Sequence, residues 1–129
     1  MTGREEIRVE GLAEPISHFT DAVRAGSFLF VSGIVAVDGD GRLVGGGDVV
    51  AQTRQVLEIL RAVLAAGGCE PEDVCKVTVF LTDVDDRPRI NPLRQAFFGE
   101  ARPASTLVEV SRLAVPGAKV EIECVALVP

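Results

Sequence analysis

The sequence predicts a single α+β domain, and three features carry that expectation. Four runs rich in β-branched and aromatic residues read as strands, and two segments with apolar residues at helical spacing read as helices. The order is strands, helix, strand, helix, strand, strand, with no linker and no internal repeat. The 129 residues fit one domain spanning 1–129. A chain of this size buries roughly two-thirds of its unfolded surface, enough for one core.

From the N-terminus, "IRVEG" (7–11) and "DAVRAG" (21–26) read as two short strands, followed by "SFLFVSG" (27–33). The glycine-dense "VDGDGRLVGGG" (37–47) belongs to a turn and loop. Asp48 is placed to cap a helix whose buried stripe is Val49, Val56, Leu60, Val63 and Leu64, and which Gly67 and Gly68 end. Gln52, Arg54, Gln55, Glu58 and Arg61 form most of its polar side. A strand follows at "VCKVTVFLT" (74–82). The second helix starts at Asp86 with Pro88 in its first turn, where the missing N–H does no harm. Ile90, Leu93 and Phe97 mark its buried stripe and Gly99 closes it. "STLVEV" (105–110) and "KVEIECVALV" (119–128) complete the sheet.

The strands carry apolar residues on both faces. Val120, Ile122, Cys124, Ala126 and Val128 face one way, with Lys119, Glu121, Glu123, Val125 and Leu127 facing the other. Phe28 and Phe30 oppose Leu29 and Val31 in the same manner. Two helices cover one face of such a sheet and not both, so the other face calls for a partner, most simply further copies of the chain.

Composition narrows the function. Hydrophobic residues make up 47% and charged residues 25%, as in soluble globular proteins. There is no run of 18 apolar residues and no basic-then-apolar start, so neither a membrane span nor a signal peptide is expected, and the cytoplasm is the default compartment. The net charge of −6 and the lack of a basic patch count against nucleic acid as a partner. Cys69, Cys75 and Cys124 fit neither a zinc site nor a disulfide framework; Cys75 and Cys124 alternate with apolar residues and read as buried and inert. "VGGGDVV" lacks the Lys-Ser/Thr of a phosphate loop, and in "DGDGR" Arg42 takes a calcium-ligand position with no closing glutamate. Asp83, Asp85 and Asp86 read as turn and cap residues. No metal and no cofactor are expected.

Five segments, taken in order, resemble the Rid (reactive intermediate deaminase) family, also called the YjgF family: "FLFVSG", "QTRQVLEILRAVLAAGG", "DVCKVTVFLTDVDD", "INPLRQAFFGEARPAS" and "VEIECVAL". The resemblance covers nearly the whole chain. It implies a fold like that of the small chorismate mutases, with two helices on one face of a mixed sheet. It also implies a homotrimer with a central β-barrel and clefts between subunits. The implied chemistry is cofactor-free hydrolysis of reactive enamines and imines, such as 2-aminoacrylate and its imine tautomer, to a 2-keto acid and ammonia.

Carried onto this sequence, the resemblance implies that Glu121 positions the water, and that Ser32, Gly33, Phe19 and Asn91 line the cleft. Where typical deaminases of the family read Pro-Ala-Arg-Ser-Cys-Val-Glu-Val, this chain reads "PASTLVEV". Ser105 therefore stands in place of the carboxylate-binding arginine and Leu107 in place of the cysteine, and both are expected among the substrate-binding residues. A serine hydroxyl does not replace a charged fork, which points to a larger or uncharged imine, enamine or amide as substrate. Each residue also has a plainer reading. Glu121 fits a strand glutamate bound to a neighbouring subunit, and Ser105 and Thr106 fit an ordinary strand entrance. His18, the sole histidine, fits a solvated loop residue, and Arg102 lies upstream on a loop. The alternative function is a ligand-binding or regulatory trimer that keeps the cleft without turnover.

Overall fold

The computed structural model describes residues 3–129 and has the expected α+β architecture. Six strands form one mixed sheet: β1 (Arg4–Ile7), β2 (Ala22–Ala25), β3 (Phe28–Ile34), β4 (Val74–Leu81), β5 (Ala104–Glu109) and β6 (Val120–Leu127). Their order across the sheet is β1-β2-β3-β6-β4-β5. All neighbours are antiparallel except β4 and β5, which run parallel. The parallel pair needs a crossover, and α2 (Arg87–Phe98) lies between them in the chain, as α1 (Val49–Ala66) lies between β3 and β4.

The core lies between the helices and one face of the sheet. Val56, Leu60, Val63 and Leu64 of α1 and Ile90, Phe97 and Phe98 of α2 pack with Leu29 and Val31 of β3, Val77, Val79 and Leu81 of β4, and Val120, Ile122, Cys124 and Ala126 of β6. The alternation in β6 is therefore the expected one. Asp48 caps α1 by accepting from the Val50 N–H at 2.9 Å and the Ala51 N–H at 3.3 Å. Gly67 closes the helix against Leu29: a Cβ there would lie 2.4 Å from a leucine methyl.

Four expectations change. The first strand runs Arg4–Ile7 instead of through residues 7–11, because Arg8 onward turns away to bind Asp21. Asp86 sits at the start of α2 but makes no cap bond; its carboxylate accepts from Arg89 at 3.3 Å. Cys75 is exposed, since β4 puts it outside the core between the buried Val74 and Val77. The register of β4 on β6 shifts between Val74 and Lys76, which breaks the simple alternation there. Cys124 is buried as expected, and burial, with Cys69 and Glu123 adding to it, pushes its thiol up to about 12.

Gln52 is the fourth. It is completely buried instead of lying on the polar side of α1. Its Nε2 donates to the Gly46 carbonyl at 2.6 Å and the Gly117 carbonyl at 3.1 Å, and its Oε1 accepts from the Lys119 N–H at 2.8 Å. One side chain thus ties the glycine loop, α1 and the entrance to β6 together.

Candidate active site

A β-bulge builds the first wall of the site. Val31 pairs with Cys124 and Ile34 with Ile122, so Ser32 and Gly33 together interrupt the ladder between these two pairs. The bulge leaves room beside β6, and the Glu121 carboxylate fills it. A Cβ on Gly33 would stand 2.1 Å from Glu121 Oε2, so the carboxylate holds its place only because residue 33 has no side chain. Glu121 is on the face away from the helices, half-buried. Burial and then the nearby Glu123 raise its proton affinity above that of an ordinary carboxyl.

The loop before β2 supplies the rest of this wall. The Ser32 hydroxyl donates to the Thr20 carbonyl at 2.5 Å, and the Ser32 N–H to the Asp21 carbonyl at 3.0 Å. Thr20 Oγ1 donates to the Ile7 carbonyl at 2.9 Å, and Asp21 accepts from Arg8 and from the Val9 N–H. These bonds seat Phe19 at the rim of a cleft of about 580 Å³ that also contains Ser32, Gly33 and Glu121. Phe19 is exposed. His18 is exposed and does not line the cleft.

Asn91, Ser105 and Leu107 lie elsewhere. Ser105 pairs with Val77 and Leu107 with Val79, so both project to the helix side of the sheet, opposite to Glu121. Leu107 packs against the core. Asn91 lines a second, open cleft of about 730 Å³ together with Arg94, Gln95, Glu100, Arg102 and Pro103. Within one chain the predicted site residues therefore form two separate groups.

Arg94 is the residue that sequence reasoning missed. One turn beyond Asn91 on α2, its Nη2 donates to Ser105 Oγ at 2.8 Å. Its Nε is buried without a hydrogen-bond partner, and none of the ion pairs among the described residues involves it. An unpaired buried donor of this kind costs about 1–3 kcal/mol. Burial lowers the pKa of the guanidinium from its ordinary value. The only signal in the sequence was a charged residue at position i+3 from Asn91 on the helix facing the serine strand. Glu109, by contrast, is structural: its carboxylate accepts from the Val84 N–H at 3.0 Å.

A mixed sheet backed by two helices is the fold of solved Rid family proteins, among them YyfA of Yersinia pestis, which matches at a TM-score of 0.90 and 33% identity over 97% of this chain and 99% of that one. The chain belongs to that family: the profile described as Endoribonuclease L-PSP matches residues 11–128. A RutC family protein of Pyrococcus horikoshii is 42% identical over 123 residues, 95% of this chain and 97% of that protein. The 3-aminoacrylate deaminase RutC of Acinetobacter baylyi is 38% identical, with 95% and 97% covered. Among solved structures, E. coli TdcF with bound serine matches at a TM-score of 0.86 and 33% identity, over 95% of this chain and 98% of that one. Among the described residues no helix is long and apolar enough to cross a membrane.

Proposed function

We propose that the chain is a hydrolytic deaminase of reactive imines and enamines, working without a cofactor in the cytoplasm as a homotrimer with clefts between subunits. The observation that carries this reading is Glu121: a half-buried carboxyl of raised proton affinity, set over Gly33 in a cleft rimmed by Phe19. Hydrolysis of an imine adds water across C=N and then expels ammonia, so it needs one group that takes a proton from water and returns it to nitrogen. A carboxyl whose pKa is displaced upward holds and returns a proton more readily than an ordinary one. The resemblance to a 3-aminoacrylate deaminase supports the same chemistry. An enamine enters the path after protonation at carbon gives its imine tautomer.

Assembly follows from the placement of the two walls. Asn91 and Ser105 lie on the helix side and Glu121 on the open side, so a complete cleft takes one wall from each of two neighbouring copies. In this reading Glu121 is catalytic, while Phe19, Ser32, Gly33, Asn91 and Ser105 bind substrate and Leu107 backs the strand that carries Ser105.

The decisive experiment measures ammonia release from iminopropionate and from bulkier imines by the wild type and by Glu121→Gln. The expected result is a loss of about 100-fold or more in the variant. Equal rates in the two proteins would overturn the proposal in favour of a silent ligand-binding trimer.

A further inference from the structure

We infer that the substrate is a carboxylate-free iminium, a protonated C=N group on a bulky apolar chain or ring, and that the cleft inside each chain holds the apolar part while Glu121 faces the nitrogen. The inference rests on the deaminase reading and names its substrate class. Three observations carry it. The cleft of about 580 Å³ has the volume of a small-ligand site. Its walls are largely apolar: Leu12 and Ile16 from the loop before β2, Phe19 at the rim, Ile59 from α1 and Val115 from the loop before β6. Its charged lining residues are Glu14, Asp21, Asp38 and Glu121, with no lysine, arginine or histidine among the described residues that line it.

The sign of the charge decides between ligands. Arg8 already binds Asp21 and Glu14, and Asp38 accepts from the N–H groups of Asp40 and Arg42 at 2.9 and 3.0 Å. No ion pair among the described residues engages Glu121. A carboxylate ligand would therefore leave water beside another carboxyl with no cation on this wall, which is costly. A cationic nitrogen completes a pair with Glu121, and the exposed ring of Phe19 offers it a second favourable face. The cations of the other wall do not reverse this: Arg94 is engaged on Ser105 with its Nε buried, and Arg102 is exposed on a loop. Hydrolysis turns R–CH=NH2+ and water into R–CHO and ammonium; C=N is replaced by C=O, and nitrogen gains both hydrogens of the water. The reaction that supplies this substrate is the two-electron oxidation of an apolar primary amine, which passes a hydride to the supplying enzyme's flavin and releases a proton.

Binding tests this separately from turnover. Calorimetry of the whole protein compares phenethylamine, whose ammonium group mimics the iminium, with phenylalanine, which differs from it only by a carboxylate. The wild type is expected to bind the amine about tenfold or more tighter, and Glu121→Gln to lose most of that preference. Ile16→Ser, a change at an exposed loop position, is expected to weaken phenethylamine about threefold with the fold intact. Affinity for phenethylamine no greater than for phenylalanine, including no binding of either, would overturn the inference, as would unchanged phenethylamine binding in both variants. Hydrolysis of iminopropionate that depends on Glu121, beside a preference for phenylalanine, would leave the deaminase reading standing and remove this one. Selectivity for phenethylamine beside equal ammonia release by wild type and Glu121→Gln would leave the recognition site standing and remove the deaminase reading.

Discussion

Glu121 is held in a place that suits chemistry better than stability. Its carboxyl is raised by burial and by Glu123, so the folded chain disfavours its charged form. The resulting cost is fully present above the folded pKa and disappears as pH falls below the ordinary carboxyl range, where both states are protonated. Glu121→Gln is therefore expected to melt higher than the parent at pH 8, with the two converging below about pH 4 in paired thermal melts. The neighbouring glycine provides a second test. In Gly33→Ala the methyl meets only the far end of the glutamate, which can swing aside, so stability should change by less than about 1 kcal/mol. Ammonia release should nevertheless fall towards the level of Glu121→Gln, since the carboxylate has lost its seat. Full activity in the Gly33→Ala protein would show that the seat is not what positions the acid.

At the scale of elements, the long apolar patterns were legible and the exceptions were not. β3, β4, β6 and the stripe of α1 follow from alternation and helical spacing, because one face of each is buried in a single core. Gln52 escaped that logic. A glutamine at helical spacing reads as polar surface, yet it is enclosed because three backbone groups, one in the loop before α1 and two in the distant loop before β6, need partners. Gln52→Leu leaves those groups buried and unpaired and should cost about 2–4 kcal/mol in a denaturant titration. The entrance to β6 depends on this anchor, so a folded but weakened variant should also lose activity through Glu121. Arg94 was illegible for a related reason: its meaning depends on α2 crossing over β5, which no local pattern reports.

For the whole molecule, the open face of the sheet is the dominant unpartnered surface. Phe28, Phe30 and Leu127 remain 43%, 47% and 46% exposed, with Phe28 directly across from Leu127 and Phe30 from Val125. Val108 extends the apolar area on β5. A patch of this kind on a small domain calls for burial in an assembly. Phe30→Glu should place a charge in that contact and shift the protein towards monomers in sedimentation velocity, while the fold itself, whose core lies on the other face, is preserved. Catalysis should fall with the assembly, because the walls carrying Glu121 and Ser105 would no longer meet. A wild type that sediments as a single 13.7 kDa chain would remove the intersubunit cleft from the proposal.

The sequence by itself determined the α+β class, the order of elements, the family and the identity of Glu121, Ser32 and Gly33 as residues to watch. These are set by local periodicity and by motifs whose spacing survives in one dimension. Only the tertiary structure decided that a bulge frees the seat for Glu121, that Gln52 is an internal anchor, that Cys75 is exposed, and that an arginine from α2 rests on the serine of β5. Each of those depends on which distant segment packs against which, and the energy of burying a polar group is fixed by neighbours that the chain brings together only on folding.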